Sequence, residues 1–119
     1  MLKRFSVSNF KSLANVEFKP VGLNLLIGPN NAGKTNLCSA LRFVSRTSAE
    51  PLEVAARNAV GETWNIPNVY VSAPVMEFEL DCVLFSNSEE LHYRYVLKID
   101  ADRSSSAGGC TLRVAEETL

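Results

Sequence analysis

The chain has 119 residues, which is enough for one domain with a hydrophobic core and too few for two. Apolar residues make up 46% of it and charged residues 21%, the ordinary balance of a globular protein. The net charge of −1 excludes a chain that is basic overall, although DNA remains possible as a partner of a larger assembly.

The sequence pattern indicates neither a membrane span nor a signal peptide. The residues after Lys3 and Arg4 alternate in polarity, and no apolar run approaches the length that crosses a bilayer. Cys38, Cys82 and Cys110 are odd in number and far apart, which favours reduced, buried thiols over a zinc site. We therefore expect a cytoplasmic protein with no membrane partner.

Two strands are predicted at the start of the chain. Polar and apolar residues alternate over residues 2–9, with Phe5 and Val7 facing a core and Asn9 on the same side. A short connection leads to a second strand, which ends at Pro20 because proline interrupts strand pairing.

A third strand and a helix are predicted next. Leu23–Ile27 is a short apolar run between Gly22 and Gly28, which is typical of a strand buried on both faces. The apolar spacing then changes to that of a helix over Lys34–Arg46. The apolar face of this helix consists of Leu37, Ala40, Leu41 and Val44.

The rest of the chain divides into an irregular segment and a set of strands. Residues 47–74 are the least regular, and we expect them to be mobile apart from a short helix at residues 51–59. From there on the period returns to two, and two turns divide residues 75–119 into antiparallel strands. This pattern predicts a β-meander with one buried face.

A phosphate-binding motif precedes the predicted helix. Residues 28–35, Gly-Pro-Asn-Asn-Ala-Gly-Lys-Thr, match the pattern G-x-x-x-x-G-K-[ST] in full. Gly28 and Gly33 can take backbone angles that other residues avoid, so main-chain N–H groups can surround a polyphosphate. Lys34 would reach the β- and γ-phosphates, and the Thr35 hydroxyl would bind Mg²⁺ beside them. The other interpretation is an anion-free turn in which glycine only marks the start of the helix.

The segment around this motif resembles a known family. The chain has Asn9-Phe10-Lys11-Ser12-Leu13 before its second strand, and the motif continues as Asn36-Leu37. The ABC-type ATPase heads of the SMC/RecF/OLD (overcoming lysogenization defect) group open in the same order: N-F-[KR]-S, a strand, and a G-x-N-x-x-G-K-[ST] loop. The NNAGKTNL form looks most like OLD-like and related AAA-type ATPases of prokaryotic defence and DNA metabolism. The resemblance is specific over residues 2–44 and only compatible beyond Pro74.

The resemblance implies a nucleotide site with ATP and Mg²⁺ as ligands. In related heads the basic residue and the serine of N-F-[KR]-S lie beside the phosphates, which corresponds to Lys11 and Ser12, although spacing alone favours a solvated turn. Asn30 and Asn31 would touch the nucleotide or position the attacking water, and Thr35 would be the Mg²⁺ ligand. The implied nucleotide contacts are Gly28, Asn30, Asn31, Ala32, Gly33, Lys34, Thr35, Asn36, Lys11 and Ser12.

The sequence does not contain a recognisable set of groups for hydrolysis. An apolar strand ending in Asp-Glu is not evident, because Asp81 belongs to an alternating strand and Glu116 follows too short an apolar run. Residues 106–110 resemble the glycine-rich signature motif of such heads only faintly, and they are better explained as a hairpin turn. We therefore expect a fragment of a longer ATPase, with little turnover of its own and no catalytic residue that can be named.

The predicted fold is α/β, the N-terminal lobe of a P-loop NTPase. It would contain a mixed sheet with the P-loop helix, plus an antiparallel β-meander. We expect residues 1–119 to form a single partial ATPase-head domain. Residues 1–46 would carry the first strands, the loop and the helix, residues 47–74 the irregular segment, and residues 75–119 the meander.

The predicted function is ATP binding in a DNA-associated ATPase of repair, recombination or phage defence. Its partners would be the remainder of the ATPase head or a second head, and DNA through the full-length protein. Two alternatives stay open. One is a non-catalytic nucleotide-binding module completed by another chain, and the other is a P-loop small-molecule kinase.

Overall fold

A computed structural model describes residues 1–29, 32–61, 66–68, 75–102 and 110–119. These ranges contain two helices, α1 (Lys34–Thr47) and α2 (Leu52–Val60). They also contain the strands β1 (Leu2–Phe10), β2 (Leu13–Phe18), β3 (Val75–Ser86), β4 (Glu89–Asp102) and β5 (Thr111–Thr118). The α/β class that the sequence predicts is confirmed.

All five strands form one antiparallel sheet in the order β2-β1-β3-β4-β5. Strand β1 pairs with β2 on one side and with β3 on the other, so Val7 lies opposite both Val16 and Phe78. The predicted mixed sheet with a separate meander is therefore wrong. The meander continues the first sheet because β3 returns beside β1, and every neighbouring pair runs in opposite directions.

The predicted third strand is also wrong. Residues 23–27 are described but form no strand, and none of the five strands pairs with them. Leu23, Leu25 and Ile27 are exposed to 90%, 79% and 83%. An extended segment becomes a strand only when neighbouring chains accept and donate its main-chain hydrogen bonds. This run has no such neighbour among the described strands, and its apolar side chains lie on the surface.

The predicted meander is confirmed in the strands β3, β4 and β5. A two-residue turn at Asn87 and Ser88 joins β3 to β4, and both residues have positive φ values of 49° and 71°. Such angles match the right-handed twist of the flanking strands. The second turn is predicted at residues 101–109, but Ala101 and Asp102 belong to β4, and residues 103–109 lie outside the described residues.

The helices confirm most of the predicted helical pattern. Leu37, Ala40 and Val44 of α1 are buried, while Leu41 is half-buried. The short helix predicted near residue 51 is α2, and Pro51 caps it rather than lying in its first turn. Of the irregular segment 47–74, residues 62–65 and 69–74 lie outside the described ranges, so its predicted mobility is not addressed there.

The centre of the core is a cluster of three phenylalanines from three elements. Phe10 of β1, Phe43 of α1 and Phe78 of β3 have ring centroids 5.5–6.0 Å apart, and all three are fully buried. Phe10 joins the same core as Val7 because Asn9 has a φ of +59°, which breaks the alternation of β1. This cluster fixes α1 against the sheet.

The three cysteines differ in burial. Cys110 is buried and Cys82 half-buried, whereas Cys38 is exposed. The prediction that all three are buried is therefore wrong for Cys38, which lies one position after Leu37 and so faces away from the core on α1.

No helix within the described part of the chain is long and apolar enough to cross a membrane.

Replacing Arg4 with alanine is expected to lower stability modestly at neutral pH and less at acid pH. Arg4 lies 2.6 Å from the Glu17 carboxylate of β2 and 2.7 Å from the Glu79 carboxylate of β3, so its guanidinium joins three strands. The hydrogen bond from Arg4 lowers the pKa of the Glu17 carboxyl below its ordinary 4.5. A lowered carboxyl pKa contributes stability above the unfolded-state value, which is lost as the pH falls through the folded-state value.

Urea unfolding of the wild type and Arg4→Ala at a series of pH values from 7 to 3 measures this effect. The difference between the two proteins should shrink progressively below about pH 4.5. Lys19→Ala is the comparison variant, which leaves the Arg4 pairs intact. Because the Lys19 hydrogen bond also lowers the pKa of the Glu17 carboxyl, with Arg4 as the larger cause, its effect should have the same pH dependence and a smaller size. A difference that stays constant down to pH 3 would contradict this assignment.

Candidate phosphate-binding site

The β1–β2 turn and the start of α1 lie side by side at one edge of the fold. Lys11 and Ser12 form this turn, and the Asn36 amide of α1 donates a hydrogen bond of 2.6 Å to the Ser12 hydroxyl. Two segments that are 24 residues apart in the sequence are thereby joined. The structure thus brings Ser12 to the beginning of α1, the helix that starts within the G-x-x-x-x-G-K-[ST] motif.

Gly33 is the residue at which the loop becomes the helix. Its φ is +92°, in the left-handed region that favours glycine. A Cβ atom added there would lie 3.2 Å from a methyl carbon of Leu13 and 3.7 Å from the Ser12 hydroxyl. The backbone angle therefore favours glycine at position 33, and a Cβ there would also require the Leu13 side chain to move by a few tenths of an ångström.

Gly28 does not share this backbone angle. Its φ lies outside the left-handed region, so the conformational freedom that both motif glycines offer is used at Gly33 and not at Gly28. A Cβ there would meet the Ala32 methyl at 3.4 Å and the Lys34 stem at 3.9 Å. A larger side chain at Gly28 would therefore enter the space between the two ends of the loop.

At the N-terminus of α1, no side-chain cap and no acidic residue of the first turn offsets the positive end of the helix dipole. Gly33 provides no side-chain cap, and the first turn contains no acidic residue. The first main-chain hydrogen bond of the helix runs from the Leu37 N–H to the Gly33 carbonyl at 2.9 Å. The N–H groups of residues 33–36 precede it and have no partner within the helix, which is the arrangement that attracts anions.

Lys34 and Ala32 make contacts within the loop itself. The partly buried Lys34 ammonium donates to the Gly28 carbonyl, so the side chain at the start of α1 reaches back to the first residue of the motif. The Ala32 N–H donates to the Pro29 carbonyl at 3.2 Å. A charged donor is therefore held above the loop, whereas the Ala32 amide is engaged in a turn of the loop.

The β1–β2 turn is held by main-chain hydrogen bonds to a segment that follows α2. The Lys11 N–H donates to the Ile66 carbonyl at 2.6 Å, and the Asn68 N–H donates to the Asn9 carbonyl at 2.9 Å. Lys11 itself has a φ of +50°. Residues 66–68 are buried, so this turn is anchored in the folded structure.

Comparison with known proteins gives the family of the chain. The profile of the AAA ATPase domain matches residues 1–106, most of the sequence. This chain belongs to the AAA ATPase domain family. The expected resemblance to SMC/RecF-like ATPase heads is confirmed by this match together with similarity to RecF proteins.

Two relatives of this AAA ATPase domain are named DNA replication and repair protein RecF. The protein from Phocaeicola vulgatus is 36% identical over 74 residues, which cover 59% of this chain and 20% of that protein. The protein from Bacteroides thetaiotaomicron is 41% identical over 56 residues, 44% of this chain and 15% of that protein. The chain thus corresponds to a fifth or less of the length of these relatives.

Of the ten predicted site residues of this AAA ATPase domain, the structure describes eight, and they lie in three adjoining segments. Gly28, Ala32, Gly33, Lys34, Thr35, Asn36, Lys11 and Ser12 are described and lie in the loop, in the first turn of α1 or in the adjoining β1–β2 turn. Asn30 and Asn31 lie outside the described residues. Thr35 is exposed at the second position of α1, directly after Lys34.

Two features of this region were not evident from the sequence. The hydrogen bond between Asn36 and Ser12 has no local signal, since it joins two distant segments. The contacts of Ile66 and Asn68 with the β1–β2 turn fall in the part of the sequence with the weakest pattern. Ile66 lies in the stretch Trp-Asn-Ile-Pro-Asn, whose pattern predicts a loop, so neither its burial nor its partner could be inferred.

A groove at the other end of α1 is a poor alternative for an anionic ligand. It has a volume of about 630 Å³ and lies between the C-terminal half of α1 and the sheet, with Leu41, Val44, Leu80 and Tyr95 among its walls. None of the described residues that line it carries a positive charge. A polyphosphate would lose its hydration there without gaining charged partners.

Proposed function

We propose that this chain binds ATP with Mg²⁺ at residues 28–36 and acts as the N-terminal lobe of a DNA-associated ATPase. The observation that carries the proposal is the start of α1, which has a left-handed Gly33, no side-chain cap and no acidic residue in the first turn. Main-chain N–H groups of residues 33–36 can therefore donate to phosphate oxygens. The family and the match to the complete loop motif support the same ligand.

Lys34 supplies the cation of the proposed site. Its ammonium is at present paired with the neutral carbonyl of Gly28. A phosphate oxygen is a stronger acceptor, since its negative charge attracts the ammonium more strongly than the dipole of a neutral carbonyl does. ATP would therefore draw the Lys34 ammonium from the loop carbonyl to the β- and γ-phosphates.

Thr35 would hold Mg²⁺ together with the phosphates. No group of three or more His, Cys, Asp or Glu side chains that could bind a metal occurs in the ranges that the structure describes. Mg²⁺ keeps several waters and takes few protein ligands, so one exposed hydroxyl beside a triphosphate suits it. The bound ion would neutralise charge on the phosphates.

The role in DNA metabolism is inferred from the relatives. Both are named DNA replication and repair proteins, so we infer a repair or recombination role in the cytoplasm, and phage defence stays a prediction. The exposed apolar run Leu23–Ile27 supports association with further protein, because such patches on a surface usually mark an interface. The remainder of the ATPase or a second head would cover it.

The proposal assigns nucleotide binding, and not hydrolysis, to these 119 residues. The acid and the water-positioning group that hydrolysis requires would come from the rest of a complete ATPase. The alternative function, a small-molecule kinase, receives no support from the match to the AAA ATPase domain.

A competition experiment tests the proposal on the wild-type protein. Fluorescence polarisation of labelled ATP should show saturable binding that weakens when EDTA removes Mg²⁺. Unlabelled ATP should displace the probe, and adenosine should not, because the proposed contacts are all made to phosphates. Displacement by adenosine as effective as by ATP would contradict the phosphate assignment. A mobility shift of duplex DNA that depends on ATP tests the DNA association separately.

A further inference from the structure

The Asn36 side chain is directed at the β1–β2 turn and not along the loop. Its Nδ2 donates to the Ser12 hydroxyl oxygen at 2.6 Å, and Asn36 is half-buried while Ser12 is exposed. This distance is short for an N–H···O hydrogen bond, whose usual donor–acceptor distance is about 2.9–3.0 Å. The amide of Asn36 is therefore already engaged by protein, although the family resemblance implied a contact with nucleotide.

This hydrogen bond determines what the Ser12 hydroxyl can do. A hydroxyl has one hydrogen to donate and two lone pairs that accept. Because Ser12 accepts from Asn36, its own hydrogen remains available for another acceptor. An ionised phosphate oxygen can only accept a hydrogen bond, so it can pair with a hydroxyl only if that hydroxyl has its hydrogen free to donate.

The Ser12 hydroxyl is also held near the N-terminus of α1. Ser12 lies 3.7 Å from the position of a Cβ at Gly33, beside the N–H groups that precede the first helical hydrogen bond. The β1–β2 turn that carries Ser12 is itself held in place, since the Lys11 N–H donates a hydrogen bond to the Ile66 carbonyl. The Ser12 hydroxyl is thus fixed on both sides, by its backbone and by Asn36.

We propose that Asn36 is a positioning residue, which holds the Ser12 hydroxyl as a hydrogen-bond donor to the bound polyphosphate. This inference rests on the proposed function, because it assumes a phosphate at the N-terminus of α1. It assigns Asn36 a role through Ser12 and not a direct contact with nucleotide. It also gives a physical reason for an asparagine directly after the Lys-Thr of the motif.

A double-mutant cycle on the full-length gene product tests the inference. Asn36→Ala and Ser12→Ala should each weaken ATP binding about tenfold, since a hydrogen bond to a charged group is lost in both. The double variant should bind no more weakly than about the weaker single variant, because the two residues act as one unit. Ser12→Thr keeps the hydroxyl and should retain affinity within about threefold.

The matched control is Asn58→Ala in α2. Asn58 also donates from its side-chain amide, to Glu50 at 3.1 Å, but lies in the other helix. ATP affinity should not change in this variant. All affinities are measured at a temperature well below the thermal unfolding midpoint of each variant, where essentially every molecule is folded. A contribution of Asn36 to stability alone would therefore leave the affinity for ATP unchanged.

The outcomes separate this inference from the proposed function. If the wild type binds ATP but Asn36→Ala binds within twofold of it, the positioning role is wrong and the phosphate site stands. The same holds if the two losses multiply to about a hundredfold in the double variant, which would indicate independent contacts. If the wild type does not bind ATP at all, the proposed function is wrong and this inference is wrong with it.

Discussion

Lys34→Ala is expected to weaken ATP binding at least about a hundredfold, or about 2.7 kcal/mol. The ammonium would make charge-assisted hydrogen bonds to two phosphate groups, and each such bond contributes about 1.5–3 kcal/mol. In the structure this side chain contacts the Gly28 carbonyl, so its removal deletes no apolar contact of the core. Fluorescence polarisation of labelled ATP measures the affinity, and thermal unfolding without nucleotide should show almost unchanged stability.

Lys19→Ala is the matched control for this experiment. It removes the same charge, but Lys19 is 68% exposed and pairs with Glu17 of the sheet. ATP affinity should therefore stay within about twofold of the wild type. Equal binding by the wild type and Lys34→Ala would show that the loop does not bind phosphate. Equal losses in both lysine variants would indicate a general effect of charge.

Phe78→Ala is expected to lower the free energy of unfolding by about 3–5 kcal/mol. The ring is fully buried and lies 5.6 Å from the Phe10 ring and 5.5 Å from the Phe43 ring, measured between centroids. Its removal leaves a cavity where α1 packs on the sheet, which the rigid strands cannot close. A loss of this size is a large part of the 5–15 kcal/mol that is typical of a domain.

Phe85→Ala provides the control on the same strand. Phe85 is 66% exposed near the β3–β4 turn, so the same truncation there should change stability by less than about 1 kcal/mol. Urea unfolding followed by circular dichroism measures both variants. Similar losses at the two positions would mean that the aromatic cluster is not the centre of the core.

Local sequence was sufficient for the start of α1. The lysine and threonine of the motif are the first two helical residues, and Gly33 before them has the left-handed φ that the glycine suggested. The strands β1, β3, β4 and β5 followed from alternation, since each has one face on the core. These features depend on residues a few positions apart, because the helical and strand periods fix which nearby side chains share a face.

Pairing between distant segments could not be inferred in the same way. Alternation placed Asn9 on the core side, but its positive φ turns Phe10 into the core in its place. The helical spacing identified Leu37 and Val44 and omitted Phe43, which is buried because it meets Phe10 and Phe78. Both results depend on what lies across the core.

By itself, the sequence determined the α/β class, the match to G-x-x-x-x-G-K-[ST] and the helix that begins with the lysine of that motif, because these depend on near neighbours along the chain. The tertiary structure alone decided that residues 23–27 lie outside the sheet, that the five described strands are antiparallel, and that Asn36 reaches Ser12. An apolar run is buried, and a polar side chain finds its partner, only through segments that folding brings beside it.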